Sequence, residues 1–418
     1  MTSLGLYPRE HREASPSALG HKEVAMVRFL PIRKPMQFLR LLLAVALANP
    51  MHAQTADELK LGYICNLCDP SNNFTWTAKL ALDDRVKEIN AKGGIQGVKV
   101  RVIPYDTKDV PSNVVVGARK LIEQDHVDCI IGIQSSAGAS GLGTIAEAAR
   151  VPIFATTASG PLVTQTKDGS IKPYMFRACF TDSCQAAILA DFAFKDLGKR
   201  KAAFIFGNDY PYPATILRYF EAEFTRLGGQ VVAKEGFSYG TEDFKPKLSS
   251  VAKAEPDCLV IATGEVKDVS RSVQQAESMG LKFQYLGPDG WAVNDLLSMA
   301  GKQLEGSYLI SGFNTEDPRF ADFNAHFKQA HNLKCDVGAY YTLDAFMAME
   351  YAAGASLKKT GKIDPMVMRE ALETMKDVPV FTGRLTMDPA THDPRDPHIN
   401  IVTVKDGKWQ TFKTYYPE

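Results

Sequence analysis

Short apolar runs alternate along this chain with longer stretches in which apolar residues return every third or fourth position. The first pattern is that of buried parallel strands and the second that of helices with one core face. Leu59-Lys-Leu-Gly-Tyr-Ile-Cys65 reads as the first strand. A helix over Thr75–Asn90 follows, with Ala78, Leu82, Val86 and Ile89 on its core face, closed by Lys92-Gly-Gly94. Val98–Ile103 is the next strand and Asn113–Gln124 the next helix. The stretch 128–163 then forms one strand–helix–strand unit. Asp128–Ile133 and Val151–Ala155 are its strands, and its helix lies near Ala139–Ala149.

From Arg200 the pattern restarts. Ala202–Phe206, Val231–Glu235, Asp257–Ala262 and Phe283–Leu286 are strands, with helices over Ala214–Leu227 and Phe244–Lys253. After Tyr308–Gly312 come helices over Pro318–Ala330, Ala339–Lys358 and Asp364–Met375. A hairpin then turns at Asp406-Gly407, between Ile399–Lys405 and Lys408–Lys413. The expected fold is therefore α/β: two lobes of doubly wound, mostly parallel sheet. If the late helices return to the first lobe and the hairpin to the second, the chain crosses three times, near 176–178, 310–312 and 397–401. Residues 54–176 plus 312–398 then form one lobe, and 177–311 plus 399–418 the other.

The N-terminus changes the compartment. Arg33, Lys34 and Arg40 precede the apolar run 41–48, and a small-residue exit follows at Ala53. This is the layout of an export signal, and the run is far short of the ~20 residues of a membrane span. Residues 1–25 read as an upstream extension. Cleavage near Ala53 removes 7 of the 48 basic and 3 of the 48 acidic residues, leaving 41 against 45, a net charge of about −4. Nothing in that balance points to a nucleic-acid partner.

Enzyme signatures are missing from the sequence: no nucleophile elbow, phosphate loop or paired-histidine zinc helix is present. Gly141-Leu-Gly-Thr-Ile-Ala146 fits the loose dinucleotide pattern, but it stands too far past the strand end to cradle a pyrophosphate. Neither cofactor nor metal is expected. Seven cysteines leave at least one thiol unpaired. Cys65 and Cys68 are spaced for a local pair, Cys179 and Cys184 could form a disulfide, and Cys129 and Cys258 read as core residues.

The candidate binding residues all lie past strand carboxyl ends, the edge where open α/β sheets take ligands. Ser135, Ser136, Thr157 and Ser159 offer hydroxyls beside helix starts, which suits a carboxylate or serves simply as caps. Asp289 could hold an ammonium or belong to a plain turn. Tyr210, Tyr212, Trp291 and Trp76 could wall an apolar side chain.

These residues resemble a known family, the type I periplasmic solute-binding proteins of ABC importers, in the leucine/isoleucine/valine-binding group. The resemblance rests on Ile89–Ile95, Ile131-Gly132 with Ser136, Val151–Ser159, Phe176-Arg177 through Asp182 and Gln185, Gly280-Leu281 through Gly290, and Lys405–Trp409. It implies two lobes on a three-stranded hinge that close on a ligand. It further implies a carboxylate held by Ser136, Ser159 and the Thr157 backbone, an ammonium on Asp289, and Tyr212 in the pocket lining. The chain departs from the family pattern at Tyr212-Pro213, at Cys68–Trp76 and in the short Asp289. The expectation is a periplasmic monomer that delivers an amino acid or related small carboxylate to a membrane ABC permease. A sensing receptor of the same fold, for an aromatic acid or amide, is the alternative.

Overall fold

In a computed structural model of the chain, the residues described are 58–415 apart from Cys68, Ser71, Asp396 and His398. The export signal expected over 1–53 and the partner of Cys65 in the Cys65/Cys68 pair lie outside them.

The first sheet contains β1 (Glu58–Cys65), β2 (Lys99–Asp106), β3 (Cys129–Gly132), β4 (Ile153–Ala155) and β5 (Met175–Arg177), in the order β2-β1-β3-β4-β5. Every pairing in it is parallel. Strand side chains alternate between faces, and the two faces have separate cores. Leu61, Tyr63, Ile131, Phe154 and Phe176 pack with the helices Asn73–Ala91 and Val337–Thr360. Ile64, Ile130, Ile153 and Met175 pack on the other side with the helix Pro111–Glu123. Strand β2 runs past the expected Ile103 and takes in Pro104. It is an edge strand, where a residue without an N–H is tolerated.

The second sheet begins with β6 (Lys201–Gly207), β7 (Gln230–Phe237), β8 (Cys258–Ala262), β9 (Tyr285–Gly287) and β10 (Tyr308–Ser311). A small hairpin, β11 (Val378–Val380) with β12 (Gly383–Leu385), packs with the first sheet's helices. The last strands, β13 (Ile399–Lys405) and β14 (Lys408–Tyr415), rejoin the second sheet antiparallel, giving β14-β13-β10-β9-β8-β6-β7. Their turn has Asp406 at φ 52° and Gly407 at φ 69°, the doubly left-handed geometry of a tight hairpin. The chain thus belongs to the α/β class, with two lobes of doubly wound sheet and three passages between them.

Those passages follow β5, β10 and β12, and they are tied to one another. The Arg177 N–H donates to the His392 carbonyl at 3.3 Å, and the Asn400 side chain donates to the Gly312 carbonyl at 3.1 Å. The expected helix near 139–149 is split into Ser136–Ala139 and Gly143–Ala149. Glycines 138, 141 and 143 fall in this stretch, and glycine weakens a helix more than any residue but proline. The helix expected from Ala214 starts instead at Pro211, because proline is well accommodated in a first turn, where its missing N–H has no partner to lose.

Phe154 lies fully buried in β4, stacked 6.0 Å from Phe176. Phe154→Ala should therefore lower the unfolding free energy by about 3–5 kcal/mol, read as an earlier denaturant midpoint at unchanged slope. A loss under about 1 kcal/mol would contradict the packing described.

Candidate binding site

Strand β3 ends in a strained bend. Gly132 has φ 106° and a side chain there would collide with the Ile64 carbonyl, 2.2 Å from the Cβ position. Ile133 follows at φ 61°, a left-handed conformation that a β-branched residue adopts at a cost of about 1–3 kcal/mol. The bend is held by the Ile133 N–H donating to the Ile64 carbonyl at 2.8 Å. It turns the chain out of the sheet, so Gln134, Ser135 and Ser136 stand beyond the strand end next to the loop after β4.

The hydroxyls expected to act together meet there in part. Ser136 Oγ accepts the Gly160 N–H at 3.0 Å, which ties the β3 loop to the β4 loop. A hydroxyl has one hydrogen and two lone pairs, so Ser136 keeps its O–H for another acceptor. Ser159 is buried beside Asp182, whose N–H donates to the Ser159 carbonyl at 2.9 Å. Thr157 Oγ1 and Gln134 Nε2 are buried with no hydrogen-bond partner among the described residues. Ser135 precedes the short helix but its side chain makes no cap bond.

On the second lobe, Asp289 and Tyr212 form a pair. The Tyr212 phenol donates to Asp289 Oδ1 at 2.6 Å and accepts the Gly290 N–H at 3.2 Å. Burial, with the Asp289 charge beside it, holds that phenol well above its ordinary pKa, so it stays a donor. Burial also pushes the Asp289 carboxyl upward, opposed by the Tyr212 hydrogen bond. The Asp289 N–H donates to Gln185 Oε1 at 3.0 Å, and Gln185 Nε2 donates to Asp182 Oδ1 at 3.2 Å. A continuous polar chain therefore runs from Ser159 through Asp182, Gln185 and Asp289 to Tyr212. Sequence patterning alone did not give Asp182 and Gln185 a role. Their signal was the spacing of three, which puts both on one face of the first turn of Asp182–Asp191.

The other aromatic candidates are dispersed. Trp291 is not a cleft wall: it lies in the second lobe's core, and its indole N–H donates to the Ile261 carbonyl at 3.0 Å. Gly287 makes room for the ring, since a Cβ there would sit 2.1 Å from it. Tyr210 is 36% exposed, packs its ring at a tilt 4.2 Å from that of Tyr239 and donates to Glu265 Oε1 at 2.9 Å, so it stands at the rim. Trp76 is half-buried in the first turn of the helix Asn73–Ala91. It is three residues from Asn73, whose side chain reaches Asp295 of the second lobe at 3.1 Å.

The disulfide considered between Cys179 and Cys184 is not formed, and both are free thiols. Cys179 is buried at the crossing, while Cys184 lies within the helix that Thr181 caps, its N–H donating to Thr181 Oγ1 at 3.2 Å. That cap and the helix fix the two residues in separate environments. Among the described residues no group of ligating side chains could hold a metal ion, and no helix is long and apolar enough to cross a membrane.

Two α/β lobes, three crossings and polar groups gathered at the strand ends define a two-lobed binding protein. Residues 58–408 match the family described as periplasmic binding protein, and the chain belongs to it. A Leu/Ile/Val-binding protein homolog of Brucella melitensis is 24% identical over 374 residues, spanning 88% of this chain and 98% of its own. The solved branched-chain amino acid transporter substrate-binding protein of Streptococcus pneumoniae, in complex with isoleucine, superposes with a TM-score of 0.76 at 23% identity, covering 86% of this chain and 100% of its own. A solute-binding protein of R. palustris in complex with benzoate gives 0.74 at 19% identity, covering 86% and 97%.

Peptide mapping without reductant should return Cys179 and Cys184 as separately alkylated thiols. A linked 179–184 fragment would contradict the geometry of the crossing.

Proposed function

We propose that this protein captures an amino acid or a related small carboxylate between its lobes and delivers it to a membrane ABC permease. The observation that carries this reading is the convergence of two unlike polar sets. Hydroxyls and buried, unpartnered donors stand at the ends of β3 and β4, and a carboxyl–phenol pair stands past β9. The first set suits an anion and the second a cation, which together fit a zwitterion. Ser136 and Ser159 donate to the carboxylate, Thr157 presents its backbone and Ser135 lies alongside. Asp289 takes the ammonium, and Tyr212 orients Asp289 through their hydrogen bond. Trp76 and Tyr210 border the cleft mouth.

Closure is the working step. A ligand that touches both lobes stabilises the closed arrangement over the open one by its differential contacts. The lobes divide as 54–176 with 312–398, and 177–311 with 399–418. Residues 1–53 direct export to the periplasm with cleavage near Ala53, and the mature protein acts as a monomer. It works by binding, without catalysis or cofactor. The leucine- and isoleucine-binding relatives support an amino acid. The benzoate-bound neighbour supports the alternative of an aromatic acid sensed without transport. Asp289 favours the first, because a bare acid would leave its carboxylate in the closed cleft without an ammonium partner.

A thermal-shift panel of L-amino acids, benzoate and 4-hydroxybenzoate tests the reading: a true ligand raises the melting temperature in proportion to the logarithm of its concentration. For the amino acid that binds, Ser136→Ala and Ser159→Ala should each weaken affinity about tenfold or more by calorimetry, with little change in the unliganded melting point. Unchanged affinity with a large stability loss would make these residues structural. Asp289→Asn should cost an amine-bearing ligand about tenfold or more; equal binding by the variant would point to a ligand without an amine.

A further inference from the structure

Asp182 opens the helix Asp182–Asp191 just past the first crossing, and only 1% of it is exposed. Its Oδ1 accepts from Gln185, while Oδ2 has no hydrogen-bond partner among the described residues. Gly160 shows where that oxygen points. A Cβ on Gly160 would lie 3.1 Å from Ser136 Oγ and 3.9 Å from Asp182 Oδ2. Ser136 Oγ and Asp182 Oδ2 therefore both border the space that a side chain on residue 160 would enter. Ser159 stands on the same side, in contact with Asp182 through the backbone.

Among the described residues no free cation neutralises Asp182. Arg177, whose charge reaches it, has Nε on Asp393 at 2.5 Å, one terminal nitrogen on the Ala158 carbonyl and the other on Thr164 Oγ1. An ionised Asp182 would repel a carboxylate held by Ser136 and Ser159. Its acid form would instead supply an O–H donor to that carboxylate, at an atom that has no other partner.

We infer that Asp182 carries a proton in the loaded cleft and donates it in a hydrogen bond to the bound carboxylate, so that capture takes up from solvent whatever fraction of one proton the free Asp182 lacks. This rests on the carboxylate subsite proposed above. The step forms one O–H bond, on Asp182, with the proton supplied by the buffer.

The other groups facing Asp182 fit this assignment. Burial pushes its carboxyl up to about 7, the Ser159 hydroxyl opposing and the Asp289 charge assisting. A bound anion would raise it further. The carboxyl is thus higher in the loaded than in the free state. Affinity is then full below pH 7 and falls as pH rises through and beyond 7, by about tenfold between pH 6 and pH 8. Asp289 acts in the opposite sense, since it is its ionised form that holds an ammonium. Tyr212 and Cys179, which also feel the Asp182 charge, are raised by burial and remain protonated over this range.

The experiment is calorimetry on the mature protein with the panel member that gives the largest melting shift. Titrations at pH 7.5 in buffers of different ionisation enthalpy count the protons taken up. The wild type should take up a substantial fraction of one proton and Asp182→Asn none. The variant's amide donates at every pH, so it should bind about tenfold tighter than wild type at pH 8 relative to their ratio at pH 6. Asp182→Ala, whose unliganded melting point checks its folding, should bind more weakly than wild type at pH 6. Zero proton uptake by wild type, or the same falling limb in Asp182→Asn, overturns the inference while leaving carboxylate capture standing. If no panel member shifts the melting point, the capture reading itself fails and this inference falls with it.

Discussion

The buried guanidinium of Arg177 is the constraint on which the cleft depends. Its ion pair with Asp393 joins the end of β5 to the segment that leads into the third crossing. Its bonds to the Ala158 carbonyl and Thr164 Oγ1 fix the loop that carries Thr157 and Ser159. Thr164 in turn donates to the same Asp393 oxygen at 2.9 Å. His392 adds a second clamp by stacking on Phe176 at 4.3 Å and contacting the Met175 carbonyl at 3.0 Å. Taking one partner from such a buried pair leaves an uncompensated charge, which costs about 3–5 kcal/mol. The same charge that secures the hinge therefore shapes the loop that carries the proposed carboxylate site.

That rigidity lets the cleft tolerate features that would otherwise be selected against. Ile133 is held left-handed, Thr157 and Gln134 keep buried polar atoms unpaired, and burial, with the Asp289 charge assisting, raises the carboxyl of Asp182. Each costs folding free energy, and a chain built only for stability would replace them with packed apolar groups. They lie past the ends of β3, β4 and β5 of the first sheet and β9 of the second. Elsewhere in the sheets the alternation of buried residues between the two faces follows the ordinary strand rule.

How much of this was legible in the sequence differs between strand and site. Parallel strands were readable because aliphatic, β-branched runs such as Cys129–Gly132 and Cys258–Ala262 are apolar on both faces. The hairpin at Asp406-Gly407 was readable because its residues suit left-handed backbone. The placement of Ser136 and Ser159 past adjacent strand ends followed from the same pattern. What sequence could not place was orientation. Trp291 looks like a pocket residue by position, and it turns inward because Gly287 leaves a flat strand surface for the ring. Cys179 and Cys184 are near in sequence, yet the Thr181 cap between them starts a helix that separates their surroundings. Asp182 and Gln185 form their links to Ser159 and Asp289 through tertiary contacts, which one sequence does not encode locally.

The contacts between lobes outside the cleft bear on how closure is balanced. Asn294 of the second lobe gives its N–H to Asp336 Oδ2 at 3.2 Å and its side chain to the Cys335 carbonyl at 3.0 Å, while Asn73 meets Asp295. Such bonds contribute about 1 kcal/mol each net of water. Against them stands the burial of Asp336, which pushes its carboxyl up to about 6 and makes its ionised form costly where it lies. Gains and cost are of similar size, so these contacts orient the lobes without deciding the equilibrium. The larger difference between open and closed must then come from groups that find partners only when both lobes meet a ligand. On the reading proposed above, those groups are the orphaned donors past β3 and β4 and the carboxyls of Asp182 and Asp289.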